Sequence, residues 1–137
     1  MCVLREVDVT GRLVLEAGAS VTGTDVRVSE NIEGKHAGGL ALTDALVFGD
    51  LLFEDGGDVS LHDSHVEGKV ELKSNVGSIE LRNNVIEHDA KLEKNRAGPF
   101  SLVGNTVDGK LDCKENDPLP SGTGNLAKQM TGQCSGM

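Results

Sequence analysis

At 137 residues the chain has the length of one domain. Aromatic residues make up 2%, with no Trp and no Tyr, so the core must be aliphatic. A net charge of −9 argues against nucleic acid and anionic membrane surfaces as partners, since both need clustered Lys and Arg. No apolar run approaches the ~18 residues of a membrane span.

In chain order, one pattern recurs: an aliphatic residue, two residues of which the second is often Gly, one more residue, then another aliphatic. It reads Val9 to Leu13, Val28 to Ile32, Val47 to Leu51, Val66 to Val70, Ile86 to Ala90 and Val107 to Leu111, with a degraded copy near Leu126. The leading residues lie 19 to 21 apart. A period of that size marks a solenoid, because a single coil cannot bury its inner residues without a neighbour above and below.

Each coil reads as three short strands. The first carries inward pairs such as Leu13 and Leu15, Leu51 and Phe53, Val70 and Leu72, Ala90 and Leu92, and Leu111 and Cys113. A polar turn follows, in which Asn75, Asn95 and the glycines are expected to supply the positive φ of a sharp corner. The second strand carries Leu40 and Leu42, Val59 and Leu61, Ile79 and Leu81, and Phe100 and Leu102. The third strand leads to the next coil. Two positions before its leading residue the inward phase gives Val26, Ala45, Ser64, Asn84 and Asn105. Stacked Asn side chains hydrogen-bond along a column, so Asn84 and Asn105 are expected to form a structural ladder. The period-2 alternation and the absence of a 3.6 period exclude a helical fold.

The fold expected is therefore an all-β parallel β-helix of about seven coils, stacked at ~4.8 Å per coil. Residues 1–137 form a single domain, with residues 114–137 as a C-terminal turn and capping tail within it. Outside, Asp50, Lys69, Asp89 and Lys110 alternate in sign down one column, and Glu71, Lys91 and Asp112 down another. Cross-strand ion pairs are expected along both.

The three cysteines, Cys2, Cys113 and Cys134, have no Cys-x-x-Cys spacing, which argues against zinc and thioredoxin-like chemistry. A Cys113–Cys134 bridge would close a 22-residue loop and hold the tail over the end of the solenoid; the alternative is two buried free thiols. Cys2 is left odd. Its place on a strand at the very start of the chain is expected for a mature protein whose export signal has been removed.

Gly104, Asn105, Val107, Gly109, Leu111, Cys113, Asn116, Pro118, Pro120, Gly124, Asn125, Gly132, Gln133 and Cys134 make a C-terminal motif. This motif resembles that of a group of small exported bacterial β-helix proteins, common in actinobacteria. The resemblance implies a right-handed parallel β-helix, a Cys113–Cys134 bridge and export to the medium or cell surface. It brings no established activity. Glu30 and His88 depart from it by replacing the repeat Gly.

Asp25, Asp44 and Asp63 recur at one outward position in three successive coils. Stacked carboxylates repel unless a cation such as Ca²⁺ lies between them; the alternative is a solvated acidic face. His62 and His65 are expected on opposite faces of one strand, which argues against joint metal ligation, and His36 and His88 fall at turns. The Gly-rich stretch from Gly34 to Gly39 lacks the spacing of a phosphate-binding loop. Polysaccharide-cleaving β-helices need a carboxylate pair or a basic residue in a walled cleft, often with aromatic platforms. This chain has no Trp or Tyr and no long loops. The function expected is a non-enzymatic structural or binding module, cofactor-free, docking a protein or a glycan, with homodimerisation through the N-terminal coil. A self-assembling polymer subunit like the bactofilins is the second expectation, and a polysaccharide-active enzyme the third.

Overall fold

The computed structural model describes residues 1–137. It contains 17 strands and no helix, wound into a parallel β-solenoid. The leading residues form one vertical file in register: Val9, Val28, Val47, Val66, Ile86, Val107 and Ala127. Parallel files of this kind line all three faces.

The first face is built from Leu13–Leu15, Ile32–Lys35, Leu51–Glu54, Val70–Lys73, Ala90–Glu93 and the end of Thr106–Lys114. Its inner file runs Leu15, Gly34, Phe53, Leu72, Leu92 and Cys113. Gly34 is small because the Phe53 ring lies over it: a Cβ there would sit 2.7 Å from Phe53 Cδ1. The second face uses Gly39–Thr43, Asp58–His62, Val76–Arg82, Arg96–Val103 and Ser121–Thr123. The third is short, as in Leu46–Val47, His65–Val66 and Val85–Ile86. Cys2–Val9 and Ser20–Val28 wrap from the second face onto the third.

One contiguous hydrophobic core of 28 buried residues, aliphatic except for Phe53, Phe100, Cys113 and Cys134, runs the length of the rod. Both expected inner pairs of each complete middle coil are in it, as burial of a narrow column requires. No buried side-chain nitrogen or oxygen lacks a hydrogen-bond partner.

Two corners per coil turn through a left-handed residue, and the residue after it points inward. At the second-to-third-face corner the left-handed residues are Glu6, Asp25, Asp44, Asp63, Asn83, Gly104 and Gly124. At the first-to-second-face corner they are His36, Asp55, Ser74, Lys94 and Glu115. This corrects the expectation for Asn75 and Asn95. Ser74 and Lys94 take the positive φ, at 54° and 57°, and the asparagines behind them are fully buried. Their amides are worth more inside, where corner N–H groups need an acceptor, than at a turn that tolerates other residues.

The last coil is also shifted. Ala127, not Leu126, continues the leading file, and Leu126 is 67% exposed. Beyond it the chain folds back. Cys134 enters the core beside Cys113, with the two Cα atoms 5.2 Å apart and the disulfide formed. The tail thus closes the C-terminal end.

Candidate functional site

Two amide ladders run through the C-terminal half. Asn84 Nδ2 donates to Asn105 Oδ1 at 3.0 Å and to the Leu61 carbonyl at 2.8 Å, and Asn105 repeats the pattern onto Asn125 and Leu81. Asn84, Asn105 and Asn125 thus stand in one column of bonded amides. The second ladder was not foreseen: Asn75 donates to Asn95, Asn95 to Asn116, and Asn116 to Gln133 Oε1. In each step the acceptor oxygen also takes the backbone N–H of the donor residue. Its sequence signal was the spacing of 20 and 21 between successive asparagines. Gln133 returns a bond from Nε2 to the Asn116 carbonyl, and the Met137 carbonyl accepts from Asn125, so the tail terminates both ladders.

A third device sits outside, where ion pairs were expected. Asp50 Oδ1 accepts the Lys69 backbone N–H at 2.9 Å, Asp89 Oδ1 that of Lys110 at 2.8 Å, and Asn31 Oδ1 that of Asp50 at 2.8 Å. The carboxylates thus bind backbone rather than ammonium groups, and the expected Asp50–Lys69 and Asp89–Lys110 ion pairs do not form. The backbone donor is fixed in place, while a Lys head loses rotamer freedom to reach them. This geometry also explains the repeat Gly and its exceptions. A Cβ on Gly49, Gly68 or Gly109 would fall 2.1 to 2.2 Å from the oxygen of Asn31, Asp50 or Asp89. Where the preceding coil carries Arg12 or Lys69 instead, that oxygen is absent, and the next coil tolerates Glu30 or His88.

Glu71, Lys91 and Asp112 do lie in cross-strand register, but Lys91 closes on Glu93 of its own strand at 3.3 Å, and Lys69 on Glu71 at 3.5 Å. Residues two apart share a strand face, so they compete with the cross-strand neighbour. Beside that row stands a longer one that was missed: Lys35, Glu54, Lys73, Glu93 and Lys114, strictly alternating in register. Burial pushes the Glu93 carboxyl up, but the Lys91 hydrogen bond and the charges of Lys114, Lys91 and Lys73 outweigh it and hold it below the usual carboxylate range.

The two readings of Asp25, Asp44 and Asp63, a cation ladder or a solvated acidic face, meet the corner geometry. Asp25, Asp44 and Asp63 are exposed, with φ of 55°, 54° and 51°. With Glu6 they edge a shallow open groove of about 650 Å³, floored by Val26, Ala45 and Ser64. Asp tolerates the left-handed conformation better than most residues, which is reason enough for its recurrence there. Nowhere do three or more His, Cys, Asp or Glu side chains gather as a metal-holding group.

His62 and His65 are on different strands, Asp58–His62 and His65–Val66, separated by the Asp63 corner. The expectation of opposite faces of one strand is thus corrected. Each has its own carboxylate: His62 Nε2 lies 3.0 Å from Glu80 Oε1, and His65 Nε2 lies 2.5 Å from Glu87 Oε2. His62 Nε2 also lies 3.2 Å from Ser60 Oγ. Glu80 stands opposite Ser60 on the neighbouring strand, so register alone assembles this Ser-His-Glu group. Both its contacts use the same ring nitrogen. A hydroxyl is activated when one nitrogen takes its proton and the other is held by the carboxylate, and that relay is not built here. His36 and His88 are exposed.

No family model matches the chain, and no curated protein or solved structure matches it.

Proposed function

We propose that this protein is a non-enzymatic structural and docking module that works outside the cytoplasm. The observation carrying the proposal is how the polar groups are employed. Asn31, Asp50, Asp58 and Asp89 hold the backbone of the next coil, and the buried amides hold one another. That chemistry fixes a rigid rod with flat faces, which suits a surface recognised by shape and register. The Cys113–Cys134 bridge supports an oxidising compartment.

Between the two partner classes a protein fits better than a glycan. Sugar rings stack on exposed aromatic side chains, and of the three Phe only Phe48 is exposed, at 45%. Labelled protein is incubated with cell-envelope fractions before and after protease digestion. Retention abolished by the digestion supports the proposal; retention that survives it, or product release from a panel of acidic glycans, overturns it in favour of glycan binding or catalysis.

A further inference from the structure

The two ends of the rod are finished differently. At the C-terminal end Cys134 is buried, Gln133 and the Met137 carbonyl close the amide ladders, and Met130 and Met137 pack on the core. At the other end the inward residues of the first coil, Leu4, Val7, Val9 and Leu13, are only partly buried. Their counterparts one coil in, Gly23, Val26, Val28 and Ile32, are all buried.

We infer that the first coil is a homodimerisation surface: it binds the first coil of a second copy across a two-fold axis perpendicular to the rod. The Cys2–Val9 strand pairs with Ser20–Val28 on one side, and its other edge has no partner strand. It is eight residues long, contains no Pro and runs in two arms, Cys2 to Arg5 and Val7 to Val9, either side of the corner at Glu6. Such an edge is a template for another strand. Under a two-fold axis the same edge meets itself antiparallel, so the donors and acceptors of its two arms are complementary without any second sequence being required. The side chains fit the same occupant. Half-covered aliphatic residues in the centre of the contact gain cover from their own copies. Charge does not oppose it: Arg5 and Arg12 nearly balance Glu6, Asp8 and Glu16, so this coil carries −1 of the chain's −9. Because the contact is isologous and the opposite end is sealed, assembly stops at two and does not run on into a filament.

The inference stands apart from the docking role, which concerns the faces rather than the end. Sedimentation over a concentration series tests it, with hydrogen exchange at the highest and lowest concentrations. The expected result is a species of twice 14.4 kDa that dissociates on dilution, with concentration-dependent protection confined to the first coil. The double substitution Leu4→Lys with Leu13→Lys is expected to abolish the dimer while leaving the cooperative melt, since Val28 and Ile32 beneath remain buried. Leu126→Lys at the far end is expected to leave the mass unchanged. A monomer at every concentration, mass that grows past two copies, or protection appearing away from the first coil overturns the inference.

Discussion

The two halves of this rod solve one problem with different chemistry. At the corner before the third face, the inward residue is Val26 and Ala45 in the N-terminal half, then Ser64, then Asn84, Asn105 and Asn125. At the other corner it is Ala37 and Gly56, then Asn75, Asn95 and Asn116. Backbone geometry is the same throughout, with a left-handed residue preceding each. The aliphatic corners rely on contact and offer little acceptor chemistry. The amide corners cap the backbone N–H of the coil before and tie three coils together through one side chain. Ser64 is the hinge between the two regimes: its hydroxyl accepts from the Ala45 N–H, and its own N–H donates to Asn84 Oδ1. Local stability should therefore be dominated by polar satisfaction in one half and by packing in the other.

The largest effect expected is from Asn95→Ala. It strands the Asn75 N–H, leaves Asn75 Nδ2 with only its bond to the Phe53 carbonyl and takes the side-chain donor from the Leu72 carbonyl, at about 1–3 kcal/mol for each orphaned buried group. Ala45→Gly in the aliphatic half should cost about 1 kcal/mol or less. Urea denaturation of the two variants checks the contrast, and equal losses would break it. Next comes the bridge. Replacing Cys113 and Cys134 by Ser removes a constraint worth ~3 kcal/mol for a loop of this size. Hydrogen exchange should localise the loss to the last coils, leaving Val28 and Val47 protected.

A smaller effect is expected outside. Gly109→Ala drives a methyl into Asp89 Oδ1, and Asp89→Ala should relieve most of the damage, because the nearest other atoms are at 3.1 Å. A double-mutant cycle should give a coupling of about 0.5–3 kcal/mol. The smallest effect is electrostatic. Glu93 is held below the usual carboxylate range when folded, so it binds protons more weakly there than in the unfolded chain. Its stabilising contribution is thus present above the ordinary carboxylate pKa and is lost as pH falls through the depressed value. Glu93→Gln should flatten that part of an acid-unfolding curve and leave the neutral region nearly unchanged.

Much of the fold was legible from residues alone, because a solenoid writes its register into its period. Val28, Val47 and Val66 stack where their spacing places them. Asn84 and Asn105 were readable because they fall in the inward phase of a file otherwise aliphatic. Asn75 and Asn95 were misread because Asn serves equally at left-handed corners, and a one-residue offset separates the two roles. Leu126 was misread for the same kind of reason: an aliphatic residue at the right spacing outweighed the smaller Ala127 beside it.

The sequence by itself determined the coil length, the aliphatic files and the stacking direction, since each depends only on alternation and period. Which oxygen meets which N–H was decided in three dimensions. Asp50 and Lys69 are adjacent on paper as opposite charges, but the corner brings the backbone donor to the carboxylate and leaves the ammonium free to pair elsewhere. Whether Gly is obligatory at Gly68 yet dispensable at His88 likewise follows from the side chain one coil below, at a distance no local pattern contains.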